Sequence, residues 1–181
     1  MRLFFLSLFC AVAGFSGAAA DQTDPRLDGL FAELRGGDVL SAEETTGRIL
    51  DIWADSPSDT VDLLYARAGA SLEDGEDDLA LALLDHVVGL APHFAQGYAL
   101  RGVVRLGQSD HAGAVSDFSR AIELEPRQFE VRIALAEILL GNGAKEDAYK
   151  MFQKALEWNP HDEHALRRAK ALRDELAGQE I

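Results

Sequence analysis

The sequence predicts an all-α chain, a solenoid of antiparallel helix pairs, on three observations. Prolines at Pro92, Pro126 and Pro160 stand 34 residues apart. Aligned on them, the segments Val61–Pro92, Ala95–Pro126 and Phe129–Pro160 share columns of like residues: Ala68/Gly102/Ala136, Ala80/Ala114/Ala148, Leu84/Phe118/Phe152 and Val87/Ala121/Ala155. Glycines Gly75, Gly107 and Gly143 mark a turn inside each segment. A fixed period of this length is the mark of a stacked helix–turn–helix array. Small residues in the first two columns let helix A and helix B of a unit approach closely. The Leu/Phe column fills the space beside that contact, and proline ends helix B.

Ahead of the repeats, Met1-Arg2 supplies a positive start, Leu3 to Val12 an apolar centre, and Ala18-Ala19-Ala20 a small-residue end. These are the parts of a secretory signal peptide over residues 1–20, with cleavage expected between Ala20 and Asp21 and the periplasm as destination. The apolar core is about ten residues, half of what a bilayer span needs, so no stable membrane anchor is expected after cleavage. Cys10 follows Leu8-Phe9 rather than a small residue, which argues against lipid modification. The mature chain then has no cysteine, in keeping with an oxidising compartment.

Residues 21–57 read as a helical hairpin. Asp24-Pro25 supplies an N-cap and a first-turn proline, and Leu27, Leu30, Phe31 and Leu34 fall on one face before Gly36-Gly37. Ser41-Ala42-Glu43-Glu44 reads as a capping box opening a second helix that turns Ile49, Ile52 and Trp53 inward. The hairpin is expected to cap the apolar front end of the stack, a degenerate unit before the repeats. The repeats follow at 61–92, 95–126 and 129–160. In the final segment, 161–181, Asp162 to Leu176 reads as one capping helix. Ala165, Leu166, Ala169 and Leu172 are expected inward, with Arg167, Arg168, Lys170 and Arg173 wet.

Over residues 61–160 the chain resembles the tetratricopeptide-repeat family, and its front end is similar to that of small exported members from Gram-negative bacteria. The family's aromatic early in helix A is met by Tyr98, with Leu64 and Arg132 in the other repeats. Its tyrosine further along is replaced by Ser71, Arg105 and Leu139. The resemblance implies a concave groove lined by helix A at its second, fifth, ninth and twelfth places. Those are Asp62, Tyr65, Gly69 and Leu72; Gln96, Ala99, Val103 and Leu106; Glu130, Ile133, Glu137 and Leu140. No Lys or Asn stands there to clamp a terminal carboxylate. The expected ligand is a protein or peptide segment with apolar anchors and some Lys or Arg. The alternative is that the lining is covered by the hairpin or by another copy, making the chain a self-associating structural protein and a homo-oligomer.

Composition bounds the rest. Acids outnumber bases 31 to 17, a net charge of −14, which argues against nucleic acid as a partner. The acidity is uneven: residues 21–90 hold 17 acids and 4 bases, residues 91–181 hold 14 and 12. No catalytic constellation, metal site or cofactor is expected. His161-x-x-His164 supplies two ligands at most and reads as turn and cap histidines. Ser116 and Ser119 lack a nucleophile elbow. The acidic run Glu73–Asp78 lacks the ligand spacing of a calcium loop and reads as a solvated turn. What remains is an adaptor or scaffold, not an enzyme.

Overall fold

The computed structural model describes residues 22–56 and 58–179; the expected leader, its cleavage point and Cys10 lie outside them. The described residues form nine helices and no strand. They are α1 (Arg26–Gly36), α2 (Val39–Ala54), α3 (Asp59–Glu73), α4 (Asp77–Leu90), α5 (Ala95–Gly107), α6 (His111–Leu124), α7 (Phe129–Gly141), α8 (Lys145–Leu156) and α9 (Glu163–Gln179). Helices α3–α4, α5–α6 and α7–α8 pack as antiparallel pairs, stacked in chain order, with α9 laid on α8. No described helix is long and apolar enough to cross a membrane.

Every member of the four repeat columns is buried. The small column shows why at Gly102: an added Cβ there would stand 2.5 Å from Cε1 of Phe118. The glycine lets the Phe118 ring lie against the α5 backbone. Between the helices of a pair, Gly75 (φ +75°) and Gly143 (φ +77°) take the left-handed conformation that closes a helix C-terminus. In the middle pair that place belongs to Ser109 (φ 65°), not to Gly107, which is the last residue of α5. Positions 75, 109 and 143 keep the period of 34. All three turns also make the same two backbone bonds, as in Ser109 N to Leu106 O and Asp110 N to Arg105 O.

In the hairpin, Asp24 Oδ1 accepts from Arg26 N at 2.8 Å, so the aspartate does cap α1, and Leu27, Leu30, Phe31 and Leu34 are buried. For α2 the expected Ser41 box is corrected. Asp38 is the cap, accepting from Ser41 N at 2.9 Å, and Ser41 lies in the first turn. An aspartate caps as well as a serine, and starting earlier adds three residues to the helix.

The hairpin's place is the larger correction. Its apolar face does not cover the front of the stack at α3–α4. With Leu27, Phe31, Ile49 and Trp53 it forms one core with Phe129, Ile133, Ala155 and Trp158 of the third pair. The rings of Phe31 and Trp53 lie 6.5 Å and 5.6 Å from Phe129, and Phe31 meets Trp158 edge-on at 5.6 Å. Polar bonds fix the register: Trp53 Nε1 donates to Glu125 Oε2, Arg127 to Asp28, and Gln22 to the His93 carbonyl. The hairpin therefore runs along the edge where each helix B hands over to the next helix A. Aromatic residues concentrate there at the third pair, and that is where the largest apolar area can be buried.

At the far end Asp162 caps α9 through Ala165 N (2.7 Å), and Ala165, Ala169 and Leu172 are buried. Leu166, expected inward, is 46% exposed. Lys170, exposed, occupies the column of Ala68, Gly102 and Ala136, so α9 carries a charge where the stacked helices carry a small residue.

Candidate functional site

The inner faces of α3, α5 and α7 bring together part of the expected groove. Tyr65 packs edge-on against Phe94 (5.4 Å) and reaches Gln96, whose Oε1 accepts from Gln128 Nε2 at 2.9 Å. Burial first, then the charge of Glu130, pushes the Tyr65 phenol up to about 12, against the opposing hydrogen bond from Gln96; it stays neutral. Between α5 and α7 lies a cleft of about 170 Å³ lined by Gln96, Ala99, Leu100, Val103, Glu130 and Ala134 among others. Val103 is 46% exposed on its wall. The Glu130 carboxylate is open to solvent yet ringed by protein on the inner curve. That desolvation, with Asp162 adding to it, raises its pKa.

The other expected residues lie elsewhere. Asp62 accepts from Ser56 N at 2.7 Å, tying α3 to the hairpin linker. Leu72, Leu106 and Leu140 are half-buried in the cores between helices. Ile133 packs against the hairpin core and the α8–α9 core, so it does not line an open groove. Glu137 is bound by Arg168, with His164 at 2.8 Å from its Oε1. The Arg168 partner holds its carboxyl below the ordinary value, against the opposing pull of burial. Arg168, expected to stay wet, is thus a structural partner. His164 belongs to the same cluster, and the His161 backbone is held by Asn159 (3.2 Å). Among the described residues no three His, Cys, Asp or Glu side chains stand together as a metal site.

Sequence reasoning missed Gln128. It is 1% exposed, its Nε2 is spent on Gln96, and its Oε1 has no partner. One period earlier, at the start of the second pair, the same place holds the buried Phe94. It also missed Asp117, which stands where the first pair has Leu83. Asp117 is buried between Arg101 (2.7 Å) and Arg105 (2.9 Å), which lock α5 to α6 behind the groove.

Stacked antiparallel helix pairs with a lined inner face define an α-solenoid. Residues 105–172 match the model of the tetratricopeptide-repeat family. A TPR repeat-containing protein of Rhizobium etli is 29% identical over 161 residues, covering 88% of this chain and 79% of that protein. Further curated relatives are far longer, and the chain spans between 7% and 19% of them. Among solved structures, the Yersinia enterocolitica type III secretion chaperone SycD, in complex with a peptide of the translocator YopD, superposes with a TM-score of 0.61. It is 18% identical, over 65% of this chain and 95% of that one. The first TPR domain of Spaghetti (RPAP3), bound to an HSP90 peptide, superposes at 0.60 with 18% identity, over 65% and 93%. The helix pairs have the tetratricopeptide-repeat fold, and residues 105–172 carry that family's sequence pattern.

Proposed function

We propose that this protein is an exported, periplasmic, non-enzymatic adaptor that holds a segment of an envelope protein on the inner face of α3, α5 and α7. The observation that carries the reading is the cleft between α5 and α7. Its apolar walls, Ala99, Leu100, Val103 and Ala134, are bordered by an acid, Glu130, and by the amides of Gln96 and Gln128. Such a site favours an aliphatic anchor next to Lys or Arg. Peptides in the SycD and RPAP3 complexes support a peptide ligand, and the signal-peptide pattern in the sequence of residues 1–20 supports export.

A photo-cross-linker at Ala134, on the cleft wall, is expected in native cells to capture an envelope protein, and Val103→Asp with Glu130→Lys to abolish the capture while helicity is kept. Capture retained in that double variant moves the site elsewhere. The secreted form is expected to begin at Asp21; a cytoplasmic chain beginning at Met1 overturns the location. A second reading, self-association that covers the groove, draws on the exposed apolar side chain of Val103. A dimer in solution that Val103→Asp converts to monomer favours it.

A further inference from the structure

The edge that holds the hairpin recurs with the rest of the chain. At the third pair its apolar positions are Phe129, Ala155 and Trp158. One period earlier they are Ala95, Ala121 and Leu124, and two periods earlier Val61, Val87 and Leu90. At the first pair this edge opens into a cleft of about 460 Å³ lined by Thr60, Val61, Leu90, Ala91, Pro92 and Phe94, among others. Leu90, the counterpart of Trp158, is 61% exposed, whereas Trp158 is half-buried under Phe31. The hairpin therefore shows what this edge binds, and the first pair carries an open version of it.

Charge says how the occupant differs from α1. At the third pair Arg127 meets Asp28 of α1 at 2.8 Å. Two periods earlier the residue in the place of Arg127 is Asp59, of opposite sign. The α3–α4 pair as a whole carries eight acids and one base, Arg67. We propose that the Val61–Leu90–Phe94 cleft is a docking site for an amphipathic helix of a partner protein. That helix inserts an aromatic or leucine anchor, as α1 inserts Phe31, and carries Lys or Arg where α1 carries Asp28. The site is separate from the cleft between α5 and α7 and shares none of its lining residues. Continuity with the hairpin's own interface and complementarity with Asp59 both favour a basic helix over a second copy, whose first pair is equally acidic.

The probe is a fluorescein-labelled peptide of residues 22–37 of this chain carrying Asp28→Lys, titrated by anisotropy against the full chain. Saturable binding is expected, weakened about tenfold by Leu90→Glu in the protein and unchanged by Val103→Asp. The peptide with Asp28 retained is expected to bind about tenfold more weakly, and Asp59→Lys in the protein to reverse that preference. Leu90 and Asp59 are exposed, so both protein variants are expected to keep the helical circular dichroism of the parent. Binding indifferent to Leu90→Glu, binding lost with Val103→Asp, or no charge preference overturns the assignment. So does a dimer in sedimentation that Leu90→Glu dissolves, since the cleft then belongs to a second copy.

Discussion

Trp53 and Glu125, 72 residues apart in sequence, share a hydrogen bond of 3.3 Å inside the core between the hairpin and the third pair. Glu125 is held from its other side by Arg127, whose guanidinium lies 5.0 Å from the Phe31 ring centroid. The indole thus joins a polar network to an aromatic cluster. Trp53→Ala is expected to destabilise the chain by about 3–5 kcal/mol, the cost of emptying a large buried aromatic site. Urea unfolding of the variant checks this. A loss under about 1 kcal/mol means the hairpin dock contributes little.

Gly102 and Phe118 form a second sensitive contact. Gly102→Ala is expected to cost about 1–3 kcal/mol, because the new methyl overlaps the ring and forces it off its rotamer. Adding Phe118→Leu is expected to recover part of the loss, since the first pair packs Ala68 with Leu84 in the same two columns. A double variant no more stable than Gly102→Ala alone argues that the clash is with something other than the ring.

Ser109 holds a left-handed backbone that its two period-mates assign to glycine. Ser109→Gly is expected to raise stability by up to about 1 kcal/mol, and Gly143→Ala to lower it by a similar amount. The thermal midpoint in a single buffer reports both signs.

The Glu137–Arg168 pair makes the docking of α9 acid-sensitive. The folded carboxyl titrates below its ordinary 4.5. The pair's stabilisation is therefore complete above that value and lost as pH falls through the lower, folded one. Amide exchange in α9 is expected to accelerate below pH 4.5 more than in α5. Glu137→Gln is expected to abolish the difference. Equal acid sensitivity in the variant assigns the effect to other carboxylates.

Much of this architecture was legible because it depends on volume at fixed spacing. Ala68, Gly102 and Ala136 recur since two helices cannot approach over anything larger, and a recurring constraint shows in one sequence. The groove was legible only by family likeness, and there the particular partners decided. Glu137 looked like a free acid until Arg168 arrived from α9, and Ile133 looked like groove lining until it was drawn against two cores. Neither event has a local signal, because both depend on where a distant helix lands. The hairpin's destination was hidden for the same reason: its apolar face fits any apolar surface, and Phe129 and Trp158 stand about a hundred residues away. Asp117 could have been found as a polar break in an apolar column, between Leu83 and Met151.

A stack of repeats usually folds from neighbour to neighbour, each unit needing only the one beside it, and can fray from either end. Here the first helices bind the last pair, so Phe31 and Trp53 reach their partners only after Phe129 and Trp158 are in place. Residues 22–55 must wait until more than a hundred further residues have followed. This closure adds long-range contacts that slow folding, and it couples the ends of the stack. Loss of the third pair is thereby felt at the start of the chain, and a C-terminal truncation before Phe129 strands an aromatic, aggregation-prone hairpin.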